Sequence, residues 1–140
     1  MIAEELMIGD WVDRFDTPPH YKVVSIGDST DITISHSGKA DDETKRICWE
    51  DKLTPIPLTS EILEKNGFPF SEVETNSDLQ NVYRHYTKFY NFPLGKGFYI
   101  EYDTVDNIFY ITDHWWIRFK YVHEFQHVLK LCKIDKEISL

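Results

Sequence analysis

Apolar and polar residues alternate in short runs through the first third of the chain, and Gly, Asp and Pro residues separate the runs. A period of two residues is that of a half-buried β-strand. The pattern predicts short strands at residues 21–26, 31–35 and 46–50, preceded by a Gly9-Asp10 turn that leads into a first strand at Trp11. Several short strands in this span are typical of a small barrel, so we predict an SH3-like β-barrel.

Two prolines separate this region from the rest of the chain. Pro55 and Pro57 lack an N–H group and favour an extended path. Thr59 or Ser60 is placed to cap a short helix carrying apolar residues, and Gly67 is placed to end that helix in a left-handed conformation. The pattern therefore predicts a linker helix.

The second half of the chain contains a different succession of strands. Residues 98–102 and 107–112 are predicted to form a hairpin, and residues 115–120 a third strand. Sequential strands with short links pair antiparallel. Residues 82–90 fit a strand and a helix equally well and are left open.

The predicted fold is therefore α+β. A strand-rich SH3-like subdomain at residues 1–58 is followed by an α+β subdomain at residues 59–140, and the two form one compact unit. In the second subdomain, an antiparallel sheet is predicted to be packed by a C-terminal helix at residues 121–131.

The terminal helix has an apolar arc and a polar arc. Successive residues at 100° intervals place six residues on the apolar arc and four on the polar arc. The apolar set is Tyr121, Val122, Phe125, Val128, Leu129 and Cys132, and the polar set is His123, Gln126, His127 and Lys130. We therefore expect both histidines to face water or a cleft rather than the packing side of the helix.

The same helix contains a literal H-E-x-x-H motif. His123 and His127, four residues apart on one helix face, could hold zinc, with Glu124 as a general base. A catalytic zinc site needs a third protein ligand. Lys130 and Lys133 stand where the extended motif has Gly and His, and an upstream ligand such as Asp113 or His114 stays open. We interpret the motif as architectural, which predicts no catalytic residue, no metal and no cofactor, with a small zinc-dependent hydrolase as the alternative.

Charge disfavours nucleic acid as a partner. The chain of 140 residues has a net charge of −9, which repels phosphate backbones. It favours a protein partner with a basic surface instead. A third possibility, an RNA-binding barrel, would require Lys22, Lys45 and Arg46 to cluster on one face.

Cysteine usage and the N-terminus predict a cytoplasmic protein. Cys48 and Cys132 are flanked by apolar residues and are expected to be buried free thiols in a reducing compartment. The first residues carry acids without a basic flank, unlike a signal peptide. No apolar run is long enough for a membrane span, so we expect no membrane partner.

Candidate interaction residues are carboxylates in polar segments and a tryptophan pair. Adjacent tryptophans in a strand point to opposite faces, so at least one could lie on an exposed surface. The candidates are Asp41, Asp42, Glu43, Glu72, Glu74, Trp115 and Trp116.

Three blocks of the chain resemble a large family of small uncharacterised bacterial proteins, often encoded in prophages or other mobile elements. The blocks are ELMIGDWV (5–12), PIPLTSEILEKNGF (55–68) and YVHEFQHVLKLCKIDKEI (121–138). The family has no established activity to transfer. Its terminal helix reads V-H-x-L-Q-N or V-H-x-L-Q-H, and positions 124 and 127 vary to Gln and Asn. The resemblance therefore implies that His123, Phe125, Gln126 and Leu129 form a packing signature in which His123 and Gln126 bond to neighbouring backbone.

These observations lead to one functional hypothesis and two alternatives. We expect a non-enzymatic protein-binding protein of phage or mobile-element origin, in the form of an acidic, anti-CRISPR-like inhibitor of a host defence nuclease. The alternatives are the zinc hydrolase and a structural or accessory domain. The sequence leaves the oligomeric state open.

Overall fold

The structure, a computed structural model, describes most of the chain. The described residues are 5–15, 17–28, 30–68, 71–73, 89–95, 98–103, 106–111 and 114–140. They divide into two compact units. The first unit comprises Met1–Pro57, Tyr121–Leu131 and Leu140, and the second comprises Leu58–Lys120 and Cys132–Ser139.

The first unit contains a five-stranded antiparallel sheet and a helix. The strand order is β4-β3-β2-β1-β5. The elements are β1 (Trp11–Arg14), β2 (Thr17–Ile26), β3 (Asp31–Ser35), β4 (Arg46–Trp49), β5 (Leu53–Pro55) and helix α2 (Val122–Leu131).

The predicted barrel is not supported, because among the described residues no pairing joins the edge strands β4 and β5. Strand β1 pairs with both β2 and β5, and a three-residue 3-10 turn, Glu50–Lys52, connects β4 to β5. A period of two residues identifies strands, but it carries no information about whether the outer two strands meet. The positions of β1, β3 and β4 were predicted correctly, whereas β2 begins four residues earlier than predicted, β5 was not predicted, and the predicted closure was wrong.

Alternate residues of these strands form the core of the first unit. The period of two places one side of each strand inward. The buried cluster consists of Leu6, Val12, Tyr21, Val23, Ile32, Ile34, Cys48 and Leu53.

Helix α2 belongs to the first unit and not to the second sheet, where the sequence placed it. The Val122 N–H donates to the Ile56 carbonyl at 2.9 Å, and Pro57 pairs with Tyr121 in an isolated bridge. Four of the six residues on the predicted apolar arc are buried, namely Val122, Phe125, Val128 and Leu129, while Tyr121 and Cys132 are partly exposed. The helix pattern predicts which face packs, whereas its partner is fixed by residues far away in sequence.

The second unit opens with the predicted linker helix, α1 (Ser60–Lys65). The Thr59 hydroxyl accepts from the Ile62 N–H at 3.3 Å and caps its first turn. Gly67 has a left-handed φ of +77°, and its N–H donates to the Glu64 carbonyl. This arrangement is the glycine stop that the sequence indicates.

A second five-stranded antiparallel sheet follows α1, in the order β10-β9-β8-β7-β6. The predicted hairpin and third strand are confirmed as β8, β9 and β10, and most of 82–90 lies outside the described residues. The strands are β6 (Ser71–Val73), β7 (Phe89–Gly95), β8 (Phe98–Asp103), β9 (Ile108–Ile111) and β10 (His114–Phe119).

Aromatic residues pack the buried side of this sheet. The Phe109 ring stacks on Tyr102 and on Phe119, with ring centroids 4.3 Å and 5.9 Å apart. Phe109 and Phe119 are almost fully buried. The α+β class with two antiparallel sheets is therefore confirmed.

Both cysteines are free thiols. Cys48 is buried as predicted, while Cys132 is partly exposed. Among the described helices, none is long and apolar enough to cross a membrane.

Candidate functional site

The N-terminus of α2 is capped by the glutamate of the H-E-x-x-H motif. Glu124 Oε2 accepts a hydrogen bond from the Tyr121 N–H at 3.1 Å. A glutamate at the third helical position commonly reaches back in this way, because the first N–H groups of a helix lack partners within it. The carboxylate also favours the positive end of the helix dipole. Glu124 therefore stabilises the start of the helix.

The second histidine of the motif bonds to a buried aspartate. His127 Nε2 lies 2.8 Å from Asp10 Oδ2, and the Asp10 side chain is fully buried. The same oxygen accepts from the Met7 N–H at 2.7 Å. Because a carboxylate oxygen is an acceptor, we assign His127 Nε2–H as the donor of this bond. The pair joins α2 to the segment before β1.

The first histidine of the motif is buried and does not face water, although it is among the residues that line a cleft. Only 4% of His123 is exposed, and its ring stacks on Tyr121 with centroids 5.9 Å apart. Its Nδ1 has no hydrogen-bond partner among the described residues, so the predicted bond to backbone is not found at this nitrogen. The pKa of His123 lies below its usual value, because the effect of burial outweighs that of the nearby carboxylates of Glu124 and Asp10, which raise it.

Gln126 bonds to backbone as predicted. Its Oε1 accepts from the Trp11 N–H at 2.9 Å, and its Nε2 donates to the Gly9 carbonyl at 3.1 Å. A primary amide is suited to this position, since it offers one acceptor and one donor to two backbone groups. Gly9 has a left-handed φ of +94°, which aims its carbonyl for this contact at low conformational cost.

The motif residues line an open cleft of about 350 Å³ in the first unit. The lining residues are Glu5, Met7, His123, Glu124 and His127. Carboxylate, imidazole and thioether groups are possible metal ligands. In the described part of the chain, however, no three His, Cys, Asp or Glu side chains are grouped to hold a metal ion.

The predicted acidic cluster is split between two roles. Asp42 organises its own loop: its Oδ2 accepts from the Ser37 N–H, and its Oδ1 accepts from the backbone N–H and hydroxyl of Thr44. Bonds from Ser37 and Thr44 hold the pKa of Asp42 well below its usual range. Asp41 and Glu43 are exposed and face solvent.

The tryptophan pair is only partly described. Trp116 is 61% exposed on β10, and its ring meets the edge of His114 at 5.0 Å. The side chains of Trp115 and Glu72 and the whole of Glu74 lie outside the described residues. The structure therefore places only Trp116 of this group on a surface.

Sequence reasoning missed two features. Asp10 was taken as a turn residue, although it is the buried partner of His127. The one sequence feature that links Asp10 to the terminal helix is that both lie in blocks, 5–12 and 121–138, that carry the family resemblance. Exposed Ile47 and Trp49 on β4 were also missed, because an alternating pattern does not show which apolar residues stay outside.

Comparisons with protein-family models, with curated proteins and with solved structures each returned no match. The resemblance carried by the three sequence blocks is neither confirmed nor refuted by them.

We predict that Gln126→Ala destabilises the protein by about 1–3 kcal/mol, because it leaves a backbone donor and acceptor without partners. The free energy of unfolding from urea titration measures the effect. Lys130→Ala, at an exposed position of the same helix, is the control and should change stability by less than about 0.5 kcal/mol. Equal effects of the two substitutions would contradict the assigned role of Gln126.

The lowered pKa of His123 predicts acid-dependent stability. In the unfolded chain the imidazole binds its proton as the pH falls through about 6.5, whereas in the folded protein it stays neutral to lower pH. The unfolded state then binds more protons, so stability falls as the pH decreases below about 6.5. Replacement of His123 by Phe, which keeps a ring beside Tyr121 and removes the unpaired Nδ1, should make this decline shallower. Urea midpoints across this pH range test the prediction, and parallel profiles of the two proteins would refute it.

Proposed function

We propose that this protein acts by binding another protein, through an exposed aromatic face on the second unit. The face consists of Tyr99, Glu101, Tyr110, Trp116 and Arg118, and we call it the outer face. The observation that carries the proposal is the 61% exposure of Trp116 in a strand, together with 44% exposure of Tyr99.

Strand register places Glu101, Tyr110 and Arg118 on one side of the sheet. Glu101 lies opposite Tyr110, which in turn lies opposite Arg118. The next row, Tyr102, Phe109 and Phe119, points the other way into the core. Because side chains alternate along a strand, Tyr99 lies on the same side as Glu101. The pairing of β9 with β10 is irregular between His114 and Arg118, so we include Trp116 because it is exposed and lies two residues before Arg118.

Large exposed aromatic residues are the side chains on which protein interfaces most often depend. Tryptophan, tyrosine and arginine dominate measured binding energies at protein interfaces, and the two aromatic residues bury a large area with few rotatable bonds. The outer face carries all three types. In a protein of this size, such residues on one sheet face favour a binding surface over a purely structural domain.

Net charge favours the class of partner. A chain with net charge −9 attracts a basic protein surface and repels phosphate. Exposed Asp41 and Glu43 add to this field. The concrete partner that we propose is a nuclease of a host defence system, whose nucleic-acid groove is basic, with this protein as its inhibitor.

A zinc-dependent hydrolase is the second candidate, supported by the common cleft that His123, Glu124 and His127 line. The bonds of these residues favour an architectural role. Glu124 caps the helix and His127 Nε2 bonds to Asp10. A metal held by Nδ1 of His127 would have Asp10, bonded to Nε2, as the outer carboxylate that orients the imidazole, which is a common arrangement.

We predict that Trp116→Ala weakens partner binding about tenfold or more. Immobilised wild-type protein should retain a basic protein from a bacterial lysate, and added salt should release it because the attraction is electrostatic. Phe15→Ala, which removes another exposed aromatic ring, is the matched control and should bind like the wild type.

A purified RNA-guided nuclease should lose cleavage activity in proportion to added protein. Retention that is indifferent to Trp116 and to salt would contradict the proposal.

A further inference from the structure

The edge of the first sheet carries two large apolar side chains that the core does not use. Strand β4 pairs with β3 on one side, and in the described part of the chain nothing pairs with its other side. Ile47 is 72% exposed and Trp49 is 58% exposed, while Cys48 between them is buried. An unpaired edge with outward apolar residues is a template for another strand.

The charged residues that flank β4 are basic at its start and acidic after its end. Lys45 and Arg46 lie at its start, and Glu50 and Asp51 follow its end. All four are at least partly exposed. Two copies of such a segment that run antiparallel bring the basic end of each against the acidic end of the other.

We infer that β4 is the site at which two copies of this chain associate, by antiparallel β4–β4 pairing about a two-fold axis. This surface is separate from the outer face and does not depend on the proposed function. The contact is isologous, so each copy supplies the same segment.

The alternation of side chains selects the register. Directly opposed residues in an antiparallel pair point to the same side of the sheet. Outward Ile47 must therefore lie opposite an outward residue of the second copy. A register centred on Cys48 places Ile47 opposite Trp49 of the second copy and does so twice. A register centred on Ile47 would instead place Trp49 opposite Lys45.

The register centred on Cys48 also pairs every charge. Arg46 lies opposite Glu50 of the second copy, and Lys45 lies opposite Asp51. Strand β4 spans Arg46–Trp49, so the ladder joins Ile47–Trp49 of the two copies, and the carboxylates extend from the 3-10 turn Glu50–Lys52 that follows β4. Asp51 has an exposed ion pair with Lys52 at 3.6 Å, which is weak enough to exchange for the new partner.

Local complementarity is needed because the chains repel each other as a whole. Each copy has a net charge of −9, so two copies meet favourably only where both signs are present. The segment 45–51 meets this condition. A four-residue strand gives a small interface, which places the dissociation constant in the micromolar range or weaker.

Sedimentation equilibrium of the full chain tests the inference over micromolar to millimolar concentrations. The wild type should shift with concentration from the chain mass of 16.6 kDa toward twice that value. If the wild type keeps the mass of one chain over the whole concentration range, the inference is overturned. The edge of β4 would then be a candidate for pairing with a strand of another protein.

Charge reversal tests whether β4 is the dimer surface. One variant carries Lys45→Glu and Arg46→Glu, and a second carries Glu50→Lys and Asp51→Lys. Each variant alone should stay monomeric, because like charges then face each other across the two-fold axis. Their equimolar mixture should form a heterodimer, since both ends of the ladder are again opposite in charge. Lys65→Glu with Lys133→Glu, at exposed positions elsewhere, is the control for net charge and should dimerise. Circular dichroism verifies folding of each chain. A mixture that stays monomeric, or a reversed chain that dimerises alone, refutes the assignment to β4.

Discussion

The attachment of helix α2 to the segment before β1 is the interaction on which the first unit depends. It joins residues more than a hundred positions apart through the Asp10–His127 bond and the two backbone bonds of Gln126. Asp10 is fully buried. A buried carboxylate without a partner is costly, so the helix must be in place for this part of the sheet to be stable.

Each residue of the H-E-x-x-H motif has a structural contact. The glutamate caps the helix, the second histidine bonds to the buried aspartate, and the first histidine is buried with its ring stacked on Tyr121. Spacing of four residues places both imidazoles on one helix face, which serves packing as well as metal binding. These contacts agree with the proposal that the protein acts through an exposed binding surface.

Structural features that depend on neighbouring residues could be predicted from the sequence, whereas features that depend on contacts between distant residues could not. The cap at Thr59, the stop at Gly67 and the strands β3 and β8 follow from propensity and period, because each depends on neighbours in the chain. The sheet closure and the burial of His123 were predicted wrongly, since both depend on which elements meet. Asp10 could not be found from spacing alone, whereas the role of Gln126 followed from the resemblance.

A double-mutant cycle of Asp10→Ala and His127→Ala, measured by urea unfolding in the presence of a chelator, tests the central claim most directly. An architectural pair predicts a coupling energy of about 1.5–3 kcal/mol without metal, the range for hydrogen bonds to charged groups. Coupling near zero in the chelator that reappears when zinc is added, together with stoichiometric zinc in protein purified without a histidine tag, would contradict the account and identify the motif as a metal centre.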